Sequence, residues 1–160
     1  MNDKLHYVVV TGIVIKDGKF LITKRSPIEK AFPNMWTLPG GKLEFNDYSK
    51  KKKDTSSHWY NILENLLRRE VKEETGLDIK NIKYLTNLTF VRPDNIPVVV
   101  ISLYADHAKG DVTLNEESVD YAWITLEEAK KYELIEGIYG ELKMMNRVLN
   151  GEQIEEWNKN

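Results

Sequence analysis

The chain contains no cysteine among its 160 residues, which excludes disulfides, thiolate nucleophiles and zinc-thiolate sites and fits a reducing, cytoplasmic setting. Histidine is scarce too. His6, His58 and His107 are scattered without metal-ligand spacing and read as ordinary surface or packing residues. No apolar run approaches membrane-spanning length, and the polar start from Met1 to Tyr7, followed by a run broken at Gly12 and Lys16, is unlike a signal segment. Charge of one sign is also lacking: 23 basic against 25 acidic residues leave a net charge of −2, so no broad field for nucleic acid is expected. With 41% hydrophobic residues, there is material for one core, and residues 1–160 are expected to form one domain.

What is present reads as alternating strands and helices. Residues 7–15 and 19–24 read as strands joined by a tight Lys16-Asp17-Gly18 turn, an Asp-Gly hairpin signal. Residues 26–34 read as a loop, and Met35-Trp36-Thr37-Leu38 as a short extended piece ending at a Pro39-Gly40-Gly41 turn. A long helix is expected from an N-cap near Ser57 to Gly76. Residues 79–91 and 98–105 give two more strands, with a turn at Arg92-Pro93-Asp94-Asn95. Residues 120–124 give another strand, and Thr125 with Glu128 forms a capping box for a short helix. Leu142, Met145 and Leu149 mark a packed C-terminal helix over 139–149. The order implies a mixed sheet sandwiched between helices.

One stretch of the long helix carries acids where a core helix should be apolar: Arg69-Glu70-Val71-Lys72-Glu73-Glu74-Thr75-Gly76-Leu77. At about 100° per residue, Glu70, Glu73 and Glu74 share an arc of roughly 100°. Trp59, Ile62, Leu63, Leu66 and Leu67 project onto much the same arc. Asn61, Asn65, Arg68, Lys72 and Thr75 take the opposite, solvent side. Two carboxylates roughly 5 to 6 Å apart repel by about 3 kcal/mol at an effective dielectric near 20, so three aimed at one cleft call for a counter-charge. A hard divalent cation meets that need. The competing reading is a solvated Glu-rich helix with ordinary i,i+4 pairs. Against it stands Pro39-Gly40-Gly41, whose glycines can adopt conformations other residues avoid and turn backbone groups towards a ligand.

Taken together, Pro39-Gly40-Gly41-Lys42-Leu43-Glu44 and the segment 69–77 resemble the signature of the Nudix hydrolases. That signature runs Gly, five residues, Glu, seven residues, then Arg-Glu, an aliphatic residue, any residue, Glu-Glu, any residue, Gly and an aliphatic residue. Residues 69–77 match its second half without a mismatch, and Gly41 fits the opening glycine. Two departures stand out: Asp47 replaces the first glutamate, and 21 residues separate it from Arg69, lengthening the loop at about 48–61. Trp36-Thr37-Leu38, Lys24-Arg25 and Ala122-Trp123-Ile124 also fit the family's flanks.

The resemblance implies an α/β/α sandwich with a mixed sheet, and hydrolysis of the pyrophosphate bond in a nucleoside diphosphate linked to another group. It implies Mg2+ (or Mn2+) held by Glu70, Glu73, Glu74 and the Gly40 carbonyl, with Glu70 first among them to deprotonate the attacking water. Arg69 would orient the glutamates. Glu117 would add a ligand or base from a loop, with Glu116 and Asp120 as rivals. Arg25, Gly41 and Glu44 complete the expected substrate contacts.

The implied substrate is nucleotide-like, either a nucleoside triphosphate or an ADP-ribose type molecule, the latter hinted at by Pro93, sixteen residues beyond Leu77. A Pro-Asp turn explains Pro93 equally. Phe32 and Trp36 are candidates to stack a base, with Trp36 read first as a packing anchor. The Lys50-Lys51-Lys52-Lys53 run is read as a solvated loop, since no aromatic residues alternate with it. Nucleic acid is therefore not expected as a partner, nor is a membrane; a homodimer is compatible with this reading. The reading of a different class is a catalytically silent nucleotide-binding module, and the intact Glu70, Glu73 and Glu74 argue against it.

Overall fold

The computed structural model describes residues 2–159. β-Branched residues dominate β1 (Tyr7–Lys16), which turns through Asp17 and Gly18, both at positive φ (50° and 74°), into β2 (Lys19–Arg25). β3 (Trp36–Thr37) pairs with β2, and β4 (Gly40–Lys42) pairs with the first half of β1. After helix α1 (Ile62–Thr75) come β5 (Asp78–Val91), β6 (Pro97–Lys109) and β7 (Ser118–Ile124), then helix α2 (Ile138–Leu149). All seven strands form one sheet, ordered β3-β2-β1-β6-β5, with β4 beside β1 and β7 beside β2. β1 and β6 run parallel while every other pairing is antiparallel, so the sheet is mixed as expected.

Alternation along β1 divides the core between two faces. Val10 and Val14 pack with Leu66, Leu67 and Val71 of α1, whereas Ile13 and Ile15 join Leu142 and Met145 of α2. A helix on each face completes the α/β/α sandwich. Among the described residues, no helix is long and apolar enough to cross a membrane.

Several local expectations need correction. Helix α1 begins at Ile62, behind a left-handed Asn61 (φ 56°), and not near Ser57. The Thr55 hydroxyl accepts from the Ser57 and His58 amides, and Asp54 from the Tyr60 amide; such side-chain bonds compete with helix formation. Trp59 is consequently off the helix. Its indole N–H donates to the Lys51 carbonyl at 2.9 Å, and its ring meets Tyr48 and the Lys53 ammonium. Thr75, placed on the solvent side above, is fully buried, because the Thr113 amide donates to its carbonyl and draws residues 111–115 over it.

Pro39-Gly40-Gly41 is also not a turn of special backbone conformation. Gly40 and Gly41 belong to β4, and neither has positive φ. Their lack of a side chain serves close approach: a Cβ on Gly40 would overlap the Val10 carbonyl, and one on Gly41 the Glu70 carboxyl. Towards the C-terminus, Leu149 is exposed, and the buried stripe of α2 is Ile138, Glu141, Leu142 and Met145. The Thr125–Glu128 box does form, with bonds of 2.8 and 3.2 Å, but caps only a 3-10 turn over Glu128–Lys131.

Candidate active site

The acidic end of α1 lies against β4. The Gly40 amide donates to Glu74 Oε2 at 3.3 Å, and the β1–β4 register explains why it is available. Gly12 donates to the Pro39 carbonyl and Leu43 to that of Val8, so the alternating ladder makes Thr11 and Gly40 a non-hydrogen-bonded pair. Both polar groups of the Gly40 residue therefore point off the free edge of β4, amide and carbonyl alike. At the other end, Gly76 closes α1 in the left-handed conformation (φ 75°), its amide donating to the Lys72 carbonyl.

A second chain segment delivers Glu117. Residues 111–117 are tied to the end of α1 by the Thr113 amide on the Thr75 carbonyl and the Asn115 amide on that of Glu74. On its other side, the Ser26 amide donates to the Glu117 carbonyl at 2.9 Å, anchoring this segment to the end of β2. Glu117 is thereby close enough to raise the pKa values of Glu70 and Glu74.

Electrostatics register the crowding. Burial first, then the neighbouring Glu117 and Glu70, push the Glu74 carboxyl up to about 9, with the Gly40 amide opposing. Burial also raises Glu70, opposed by Arg69 and reinforced by Glu73 and Glu117. Glu73 is the outlier of the helical trio: it is exposed and faces Arg69, whose guanidinium lies 3.2 Å from it.

Arg69 reaches three acids: Asp47 at 2.8 Å, Glu70 at 3.2 Å and Glu73. Asp47, half-buried, takes Arg69 on Oδ1 and the Glu44 amide on Oδ2 at 2.7 Å. The aspartate standing where glutamate is expected thus links the exit of β4 to α1. The Glu44 side chain is exposed, and its residue enters the site through that backbone bond. Gly41 lies under Glu70.

Arg25 is engaged elsewhere, donating to the Ala31 carbonyl at 2.8 Å and pairing with Glu29 at 3.3 Å, so it braces the loop after β2. Pro93 occupies the β5–β6 turn, closed by the Asn95 amide on the Arg92 carbonyl and by an Arg92–Asp94 ion pair. Trp36 packs edge-on against Tyr132, as an anchor would. His58 is exposed and His107 half-buried, and both bond within local turns.

The donor set at β4 and α1 consists of hard oxygens: Glu70, Glu74 and Glu117, with the Gly40 carbonyl on the same edge and Glu73 at the rim. Arg69 already serves three acids, and Glu74 and Glu117 have no cationic partner among the described residues. Such a set fits a hard divalent cation. Among the described residues no three acidic or histidine side chains stand at metal-ligating spacing, so the carboxylates converge without enclosing a sphere.

Across β4, on the α2 face, lies a cavity of about 410 Å3 lined by Thr11, Leu38 and Val100 and flanked by Phe32 and Phe90. Glu141 of α2 also lines it, is 6% exposed, and has no partner for Oε1. Reading the sequence overlooked this residue, although an acid one helical turn from Met145 on the apolar stripe is the same signal that exposed α1. A smaller groove of about 190 Å3 runs between α2 and the tail, where Arg147 pairs with Glu152 and Trp157 sits beside Gly140.

Comparison with known proteins agrees with this geometry. A model of the NUDIX domain matches residues 6–143. The chain is 30% identical over 136 residues to the nucleoside triphosphatase NudI of Klebsiella pneumoniae (strain 342), a match covering 79% of this chain and 86% of that protein. In fold it resembles the MutT protein from Methanosarcina mazei Go1, with a TM-score of 0.68 and 23% identity, covering 95% of this chain and 100% of that one. It also resembles an ADP-ribose pyrophosphatase from Streptococcus suis 89-1591, with a TM-score of 0.66 and 18% identity, covering 95% and 98%. The match over residues 6–143, laid on a sandwich whose acidic helix end meets the Gly40-Gly41 strand, establishes that the chain belongs to the Nudix family of hydrolases.

Proposed function

We propose that the protein is a divalent-metal-dependent hydrolase that cleaves the pyrophosphate bond of nucleoside triphosphates, with Mg2+ or Mn2+ as cofactor. The observation that carries this reading is the convergence of Glu70, Glu74 and Glu117 on the free edge of β4, where burial and mutual repulsion drive Glu74 up to about 9. The name of the NudI relative supports triphosphates as the substrate class.

Glu70, Glu73 and Glu74 with the Gly40 carbonyl would hold the metal, and Glu117 would complete the set from its loop. When bound, the metal neutralises the substrate's phosphates and lowers the pKa of an attacking water. The chain's own residues do the rest. Arg69 fixes Glu70 and Glu73 in place through charge-assisted bonds. Glu70, half-buried beside Gly41, takes the proton from water. Hydrolysis of this kind needs positioning and charge neutralisation more than covalent chemistry, consistent with a site that has no cysteine and no histidine among the residues described above.

The test is incubation of the purified protein with Mg2+ and a panel of nucleoside triphosphates, ADP-ribose, dinucleoside polyphosphates and nucleotide sugars, with every product resolved. Monophosphate plus pyrophosphate is the expected outcome. AMP plus ribose 5-phosphate from ADP-ribose would replace the substrate class, and no metal-dependent turnover on any compound would overturn the proposal in favour of a silent module.

A further inference from the structure

The insertion over residues 48–61 is held in place along its length. The Trp59 indole N–H donates to the Lys51 carbonyl at 2.9 Å, and the Lys51 amide donates to the Tyr48 carbonyl at 2.9 Å. Behind the lysine run, the His58 amide donates to the Thr55 hydroxyl and the Tyr60 amide to Asp54 Oδ2. At the root of the insertion, Asp47 is clamped by Arg69, which also pairs with Glu70. A fixed backbone thus displays Lys50, Lys51, Lys52 and Lys53 beside the acidic site. All four are exposed, and among the described residues none of them pairs with a carboxylate. Residues 48–61 contain one acid, Asp54, against these four cations.

Along the sequence no aromatic residue alternates with the lysines, yet folding brings rings to them. Phe45 meets Tyr48 edge-on at 5.7 Å between centroids, Tyr48 meets Trp59 at 5.3 Å, and the Lys53 ammonium lies 5.1 Å over the Trp59 ring. Phe45, at 71% exposure, ends this row with most of its ring in solvent. Exposed rings adjoining unpaired cations are what a single strand of nucleic acid requires: flat faces for its bases and positive charge for its backbone. A bilayer surface would ask for aliphatic insertion as well, and residues 48–61 contain no Leu, Ile, Val or Met. An acidic peptide would use the charge and have no need of the rings.

We propose that the insertion is a docking surface for single-stranded nucleic acid, in which residues 50–53 take backbone phosphates and Phe45 stacks a base. This binding is separate from the hydrolysis proposed above. The anchoring by Trp59 and by the Asp47–Arg69 pair matters because a loop already ordered before binding loses less freedom when it docks.

Fluorescence anisotropy with labelled single strands of about ten uridines or thymidines, a length one such surface spans, tests this on the full chain. The strands carry no 5′ phosphate and the buffer no divalent cation, which keeps the acidic site out of the readout. Binding of either strand supports the proposal, and the tighter of the two identifies the sugar. The logarithm of Kd should rise against the logarithm of salt concentration with a slope of about 2 to 3, as for three or four phosphates neutralised on a single strand. A variant carrying Lys50→Gln, Lys51→Gln, Lys52→Gln and Lys53→Gln should lose most of that slope. Phe45→Ala should keep the slope and weaken binding by about fivefold or more, the effect of losing one stacked base. These side chains are exposed, and a thermal melt checks that each variant folds. Poly-glutamate binding as tightly as the strands, tighter binding to phosphatidylserine vesicles, no binding of either strand at low salt, or unchanged affinity in either folded variant would each overturn the proposal. All of these outcomes leave nucleotide hydrolysis untouched.

Discussion

Arg69 donates to Asp47 Oδ1 at 2.8 Å across the 21 residues that separate them in the chain. The inserted loop therefore returns to a fixed point, and the guanidinium that reads Asp47 also holds Glu70 and Glu73. Replacing Arg69 with Ala should lower kcat/KM by about 10- to 100-fold, the usual effect of removing a group that orients metal ligands. The melting temperature should move little, since ion pairs this exposed contribute about 0–1 kcal/mol. Kinetics and calorimetry on one preparation check it; a large stability loss with proportional activity would mean that Arg69 is structural only.

Glu74→Gln removes a ligand charge at nearly constant volume. Loss of several kcal/mol of charge stabilisation corresponds to about a thousandfold in rate. In the absence of metal the variant should be at least as stable as the parent, because it relieves crowding with Glu70 and Glu117. An unchanged hydrolysis rate would refute the assignment.

The elevated Glu74 pKa fixes the sign of two pH effects. The unfolded chain releases this proton near 4.5 and the folded one holds it to about 9, so Glu74 makes the metal-free protein less stable as pH rises through that window. Cation binding needs the ionised form, so Mg2+ uptake should release a proton and tighten with pH up to about 9. Titration calorimetry in buffers of different ionisation enthalpy measures the release; none at pH 7.5 would contradict the placement of Glu74.

Gly41→Ala puts a methyl group where the Glu70 carboxyl lies. The side chain can swing aside, so the effect should fall on function: at least about tenfold in kcat/KM, given the sensitivity of catalysis to displacements of an ångström. The melting temperature should change by only a few degrees. Equal activity would show that Glu70 need not sit over β4.

Trp59→Ala removes the ring that meets Tyr48 and the indole bond to the Lys51 carbonyl. The expected loss is about 1–3 kcal/mol, with faster proteolysis confined to residues 48–61. Limited digestion mapped by mass spectrometry reads this directly.

The strands of the central sheet other than β4, and the acidic end of α1, were legible because each rests on local pattern: β-branched runs, an Asp-Gly turn, and glutamates on an apolar arc, although Glu73 lies exposed at its rim. Ser57 misled because serine is also a good N-cap, and only the structure shows Thr55 and Asp54 occupying the nearby amides. Arg25 looked like a phosphate contact from its place at a strand end, yet the loop it braces has no periodicity to announce it. Glu141 was missed for a different reason. The apolar stripe of α2 announces its burial, but its neighbour Ser102 sits on β6, whose parallel pairing with β1 no local window contains.

That pairing also bears on assembly in time. β1 and β6 register Tyr7 against Val98 through Ile15 against Asp106, and the Thr11–Ser102 bond spans 91 positions. The first strand thus leaves the ribosome long before its central neighbour is made, and loop closure of that length precedes any reward from pairing. Nascent β1, rich in valine and isoleucine, must wait with one edge unpaired, which makes the interval before β6 emerges an aggregation-prone stage of synthesis.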